Sequence, residues 1–400
     1  MIKPIPQGYK QTKVGVIPDD WEVVRLIDGV EFLDHKRKPL KDEDRQKIQG
    51  QYPYYGASGI IDHVNDYIFE EELILIGEDG ANIIDRSSRL VFLANGKYWV
   101  NNHAHVLKAK KTFNNYFLCE YLESLKYEKH NTGTAQPKLN KEIVSNIPII
   151  KPPIQEQEKI ADILSIWDDA ITKQEQLIKQ KQLLKKGLMQ QIFSQKLRFK
   201  DDNGNNYPVW EEKKLGEIIE HFGGTSLEEF SNLSGNYKFI SIGNYSTDGQ
   251  YIDNLQRIDG NNKSLTKLLN IDDLVMVLND KTHSGDIIGS TILIDKCNTY
   301  IYNQRSERIV CKSIVQPKYL WCYLNSRFFR QKVFGISQGG TQIYVNFPFI
   351  KKLELLLPSL PEQIKIANFL TSIDDKITNI TVQFEQTKLF KKSLLQQMFV

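Results

Sequence analysis

Cysteine is scarce in this 400-residue chain: Cys119, Cys297, Cys311 and Cys322 are scattered, with no CxxC pair. That excludes both a disulfide framework and a zinc site built on paired thiolates. No stretch approaches the roughly eighteen uninterrupted apolar residues of a membrane span. The N-terminus, MIKPIPQGYKQTKVG, lacks the apolar run of a signal peptide, so the expected compartment is the cytosol. A net charge of +3 is too small to imply a polyanionic partner by itself. Catalytic signatures are missing as well. There is no GxxxxGK[ST] phosphate loop, no GxSxG, no HExxH, no kinase motif set and no Asn-Pro-Pro-aromatic tetrad of the kind that holds a flipped adenine.

What the chain does have is a repeat. EQEKIADILSIWDDAIT begins at Glu156 and EQIKIANFLTSIDDKIT at Glu362, and residues 152 to 194 align without a gap on 358 to 400 with 19 identities in 43 positions. Both copies start after prolines, which suit the first turn of a helix because their missing N–H has no partner there anyway. Apolar residues recur at Ile160, Leu164, Trp167, Ile171, Leu177 or Ile178, Leu184, Leu188 and Ile192, and again at Ile366, Leu370, Ile373, Ile377, Phe384, Phe390, Leu394 and Met398. Spacings of three, four and seven describe one apolar stripe along a helix of about 40 residues. A helix that long with a single stripe needs a partner, and the simplest partner is the other copy, packed as a coiled-coil-like pair. Between Lys173 and Lys200 stand seven lysines and one arginine against a single acid, Glu175.

The segments between the helices are mixed in character and match in order. ELILIG (72–77) and DLVMVLN (273–279) read as strands, and FNNYFLCEYLESL and QPKYLWCYLNSRFFRQKVF as amphipathic helices. The turns VNNHAHVLK and YNQRSERIV precede the helices, and the Gly-containing turns GTAQPKLN (133–140) and GGTQIYVN (339–346) follow them. PDDWEVVRL opens the first module and YPVWEEKKL the second, which places the two chain ends near each other. The fold class expected is α+β: two mixed α/β modules separated by two long helices, one unit of module and helix written twice. The boundaries are a tail at 1–17, domains at 18–151 and 205–357, and helical spacers at 152–204 and 358–400.

Small clusters offer little catalytic chemistry. His103 and His105 would share one face of a strand, but no third metal ligand is near in sequence. Glu78 and Asp79 are adjacent and would face opposite sides, so a turn is the better reading. What remains suits base reading, because Gln and Asn present a donor and an acceptor together, while Arg and Lys suit guanine and phosphate. The candidate DNA contacts are Asn102, His103, Gln136, Lys138 and Asn140 in the first module. In the second they are Asn303, Gln304, Arg305, Gln342, Tyr344 and Asn346.

On the paired PxxxEQxxIA helix starts, the endings LLKKGLMQQIF and FKKSLLQQMF, and turns such as QYPYYGASGIID and GTAQPKLN, the chain resembles the specificity subunit of type I restriction-modification systems. The resemblance implies two mixed α/β target recognition domains separated by two long helices that form an antiparallel coiled coil with a pseudo-twofold repeat, each domain reading half of a bipartite, non-palindromic site in double-stranded DNA, with no catalysis in this chain. It implies two modification subunits bringing S-adenosylmethionine, and restriction subunits bringing ATP- and Mg-dependent translocation and cleavage. Modification subunits would dock on the repeated helices, where the candidate contacts are the repeated polar residues Glu156, Gln157, Lys185, Lys186, Glu362, Gln363, Lys391 and Lys392. Two rivals are a single-chain DNA enzyme and an interaction scaffold without sequence preference.

Overall fold

The two copies of the repeat are two uninterrupted 40-residue helices, Ile154–Phe193 and Leu360–Phe399. They belong to a computed structural model that describes residues 5–133 and 136–399. The chain divides into two compact units: residues 1–175 with 382–400, and residues 176–381. Each unit therefore holds one module together with a length of both long helices, so the boundaries fall inside the helices rather than at their ends.

In the first unit a four-stranded antiparallel sheet runs in the order Val30–Phe32, Ala104–Ala109, Leu73–Gly77, Val91–Ala94. Leu73–Gly77 is buried along its whole length, which explains its unbroken apolar run: both faces are covered, one by the helix Asn115–Ser124 and its neighbours. A smaller sheet places Gln49–Gly56 between Gly59–Val64, antiparallel, and Trp99–Val100, parallel. Glu22–Arg25 pairs with Pro148–Lys151, so the module's last strand returns to its first before the prolines start the long helix.

The second unit repeats this plan. Its four-stranded sheet runs Ile219–Gly223, Ser306–Cys311, Leu274–Val277, Thr291–Leu293, and its smaller sheet places Tyr237–Ile240 between Arg257–Ile258 and Tyr300–Tyr302. Glu211–Lys214 pairs with Glu354–Leu357. The segment expected as one amphipathic helix is two, Pro317–Leu324 and Arg327–Gly335. Asn325 breaks it by donating to the carbonyls of Thr291 and Trp321, and the Ser326 hydroxyl accepts from Phe329 N–H to start the second helix.

Residues 9–18, expected as part of a tail, form a β-hairpin, Tyr9–Thr12 with Gly15–Pro18. Ile17 is fully buried in the same apolar cluster as Phe399, so the beginning and the end of the chain share one core. Phe399 meets Phe117 and Tyr121 edge-on, and in the second unit Phe193 meets Tyr319 and Tyr323 in the same manner. Each long helix thus ends in an aromatic plug set into a module helix.

Within each unit the two long helices run antiparallel. In the first, Asp168 faces Lys391 while Ile160, Ala161 and Leu164 share a core with Phe399. In the second, Lys185 faces Asp374 while Met189 and Ile192 share a core with Ile366 and Leu370.

Candidate nucleic-acid interface

Candidate residues that are far apart in sequence meet at one rim in each unit. In the first, Glu78 N–H donates to the His103 carbonyl at 2.8 Å, and Leu139 N–H donates to the Glu78 carbonyl at 2.7 Å. Strand end 78–80 thereby knits the 101–103 turn to the 136–140 turn. The second unit uses the same bonds at equivalent places, Leu278 N–H to Arg305 O and Val345 N–H to Leu278 O, both 2.9 Å. Asn279–Asp280 then pairs with Ile343–Tyr344.

The glycines of the later turns are steric requirements. A Cβ on Gly133 would lie 1.7 Å from the Gln136 carbonyl oxygen, and one on Gly339, whose φ is +109°, would lie 2.1 Å from that of Gln342. Asn101 and Asn303 close the earlier turns by accepting from the N–H groups of His103 and Arg305, at 2.8 and 3.0 Å.

This geometry sorts the candidates. Asn102, His103, Gln136 and Lys138 are exposed on the first rim, and Gln304, Arg305, Gln342, Tyr344 and Asn346 on the second. Asn303 is a correction: it is 3% exposed, is the counterpart of Asn101, and donates to Glu228, so its side chain holds the turn instead of facing outward. Asn140 is another, because its side chain caps the helix Lys141–Ser145 by accepting from Ile143 N–H. Several polar side chains of the first rim already have partners. His103 faces Asp79 at 2.7 Å, Lys138 lies 3.4 Å from Glu78, and Arg37 donates to Glu78 and to the Ala104 carbonyl at 2.8 Å each.

His105 is buried beneath this rim, its two ring nitrogens against Asp34 at 2.7 Å and the Leu139 carbonyl at 2.8 Å. It braces the 136–140 turn to the strand instead of joining His103 in a metal pair. Burial alone would raise the Asp34 carboxyl, but the hydrogen bond and charge of His105, with Val106 N–H and Arg37, more than offset it and hold it below the usual range. In the second unit Asp280 is another buried carboxylate, held by the stretch that follows it. Burial opposes its ionisation, yet donors from Ile287 N–H, Thr282 N–H and the Thr282 hydroxyl keep its carboxyl low.

Sequence reading passed over the basic run His35-Lys36-Arg37-Lys38. Lys38 N–H donates to the Val100 carbonyl and Trp99 Nε1 donates to the Lys38 carbonyl, which places the run beside the first rim with Lys36 and Lys38 exposed. Four bases in succession were its signal, and such residues suit phosphate contact.

Most of the repeated polar residues assigned to partner docking serve the interior. Glu156 accepts from Trp21 Nε1 at 2.8 Å, and Glu362 accepts from Trp210 Nε1 and from Arg198 Nε and Nη2, each at 2.9 Å. Gln157 accepts from Asn114 N–H and donates to the carbonyls of Thr112 and Pro152; Gln363 accepts from Gln316 N–H and donates to those of Ile314 and Pro358. Gln157, Glu362 and Gln363 have no exposed surface. The Glu-Gln pair is a latch that fastens each module to the start of the long helix following it, and each module needs one.

Lys391 is almost fully buried between Glu120 at 2.8 Å and Asp168 at 2.6 Å, and Lys185 holds both oxygens of Asp374. Arg89 and Tyr116 complete the cluster around Glu120 and Asp168. Of the eight residues, Lys186 and Lys392 are exposed. No group of three or more metal-ligating side chains occurs among the described residues, and none of their helices is long and apolar enough to cross a membrane.

Comparison with known proteins gives one answer. The family model for the type I restriction modification DNA specificity domain matches residues 18–181 and 208–387, once per module. The type I restriction enzyme MjaVIII specificity subunit of Methanocaldococcus jannaschii is 27% identical, over 97% of this chain and 94% of that protein. A putative type I restriction enzyme specificity subunit of Haemophilus influenzae is 28% identical, over 89% of this chain and 88% of its own length. Among solved structures, the S subunit of a type I restriction-modification system from M. genitalium superimposes with a TM-score of 0.62 at 16% identity, covering 95% of this chain and 96% of that one.

Proposed function

We infer that this chain, which belongs to the type I restriction modification DNA specificity family, is the sequence-reading subunit of a modification complex, with one module for each half of a bipartite site. One observation carries the reading. The two rims share a backbone scaffold down to individual hydrogen bonds, yet they expose different side chains: Asn102, His103, Gln136 and Lys138 on one, and Gln304, Arg305, Gln342, Tyr344 and Asn346 on the other. Two readers built alike and equipped differently suit an asymmetric site. Gln and Asn match adenine edges and Arg matches guanine, while Lys36 and Lys38 suit the phosphates beside the first rim.

The chain itself is non-catalytic in this proposal. Partner subunits would bring S-adenosylmethionine for adenine methylation, and ATP and Mg where the system also cleaves. Two modification subunits would dock on equivalent helix surfaces, centred on Leu183 with Lys186 and on Leu389 with Lys392. Leu183 and Leu389 are identical in the repeat and are 61% and 64% exposed.

The test is to map modified bases in cells that express the chain with its partner subunits, using Gln136→Ala combined with Lys138→Ala. Asn140 is unsuitable because it caps a helix. Relaxed selectivity in one half-site, with the other intact, is expected. Unchanged selectivity, or relaxation in both halves, would overturn the assignment of the rim.

A further inference from the structure

The stretches that follow the central strands are equally long, since Gly77 to Val91 and Val277 to Thr291 each advance 14 residues, and they are tied alike: Gly77 N–H donates to Leu90 O and Val277 N–H to Ser290 O. Their paths nevertheless differ. In the first unit the stretch turns into the helix Asn82–Asp85 and buries Ile83 completely in the module core. In the second unit the position 200 residues on is His283, exposed on a non-helical finger, residues 281–286.

The finger is held in place. Asp280 accepts from Thr282 N–H, the Thr282 hydroxyl and Ile287 N–H, each at 2.8 Å. Gly285 has φ +65°, and a Cβ there would lie 2.4 Å from Ile343 Cδ1 and 2.8 Å from the Phe334 ring, so the finger's base is seated against the reading loop and the helix behind it. The His283 ring docks on that loop as well, with Nδ1 2.7 Å from the carbonyl oxygen of Gly340, two residues before Gln342. A carbonyl can only accept, so Nδ1 carries the hydrogen. In the neutral ring Nε2 then offers a lone pair, on a residue that is exposed.

Resting on the reading of the second module as a half-site reader, we propose that His283 is a specificity-determining residue of that module. Its Nε2 accepts a hydrogen bond from the exocyclic amino group of an adenine or cytosine in the major groove, the two bases that present such a donor there. The first module lacks this contact because its chain folds the equivalent residue inward. Lys281 and Asp286 are the exposed ends of the finger, and a lysine suits phosphate contact.

The test uses the full chain with its partner subunits and genome-wide mapping of modified bases, for wild type, His283→Ala and His283→Gln. His283→Ala is expected to lower the preference for an amino-bearing base at one position of the second module's half-site about ten-fold or more, leaving the other half-site as it was. His283→Gln, whose amide oxygen can also accept, is expected to keep part of that preference. Unchanged selectivity with His283→Ala, relaxation at a position carrying guanine or thymine, or relaxation in both half-sites would overturn the assignment of His283. The half-site reading itself fails separately, if wild type marks no bipartite sequence at all.

Discussion

Lys185 holds Asp374 through both carboxylate oxygens, at 2.5 and 2.7 Å, and the residues 206 positions along exchange roles, Lys391 holding Asp168 at 2.6 Å. The two pairs occupy the same positions of the repeat with roles exchanged, one in each unit, and each fixes the antiparallel register of the helices within its own unit. Burial pushes the Asp374 carboxyl up and Lys185 only partly offsets it, so the ion pair is a weak source of stability. Its contribution is the choice of register, because any slip would leave two part-buried charges unpaired.

That assignment separates two mutants. Lys185→Met leaves Asp374 without a partner and is expected to cost about 2–4 kcal/mol in urea unfolding. The double variant Lys185→Met with Asp374→Leu removes both charges and is expected to lie within about 1 kcal/mol of wild type, or above it. A double variant as unstable as the single one would show that the pair supplies stability rather than register.

The two latches differ in strength for a stated reason. Glu156 receives the Trp21 indole, whereas Glu362 receives Trp210 and a bidentate Arg198 that also lies over the Trp210 ring at 5.4 Å. Glu156→Gln is expected to cost about 1 kcal/mol, the scale of one hydrogen bond. Glu362→Gln removes the charge that Arg198 faces, leaving its guanidinium only the carbonyls of Tyr207 and Pro208 and a neutral amide, and is expected to cost about 3 kcal/mol. Equal losses in thermal or chemical unfolding would refute the difference.

Asp34 supplies a pH signature. Its folded-state value lies below that of the unfolded chain, so the stability it contributes is complete above about pH 4 and is lost as pH falls through the folded value. Asp34→Asn is therefore expected to destabilise the first module at pH 7, with the gap to wild type closing as the pH drops below about 4. Unfolding curves across that range provide the check, and a gap independent of pH would contradict the ionic role.

Charge reversal at Lys186 and Lys392 together is expected to weaken co-purification of the modification subunits at least ten-fold while leaving the fold intact, because both lysines are exposed. Reversal of either alone should lower the number of bound subunits rather than abolish binding. Undiminished recovery of both subunits by the double variant would remove the helix surface from consideration.

Much of the architecture was legible in the sequence. The repeat, the two 40-residue helices, the central buried strands near Leu73 and Leu274, and the matched order of turns are carried by local signals: apolar spacing of three and four, unbroken apolar runs, and prolines ahead of helices. The site was legible only as exposed turns. Asn102 and Gln304 look no different in sequence from Asn101 and Asn303, yet the first two face solvent and the others close the turn beneath them.

By itself the sequence determined periodicity, because which side of a helix or strand is apolar is written in residue spacing. Only the tertiary structure decided what the repeated polar residues do. Repetition says that Glu156, Gln157, Lys185 and their copies are needed twice, but whether a carboxylate meets a partner protein or a tryptophan of its own chain depends on residues more than a hundred positions away. His283 is the sharpest case. Equal loop lengths in the two modules conceal one path that buries Ile83 and another that presents a histidine, and the finger of the second is held by Asp280, Gly285 and the 339–346 turn together.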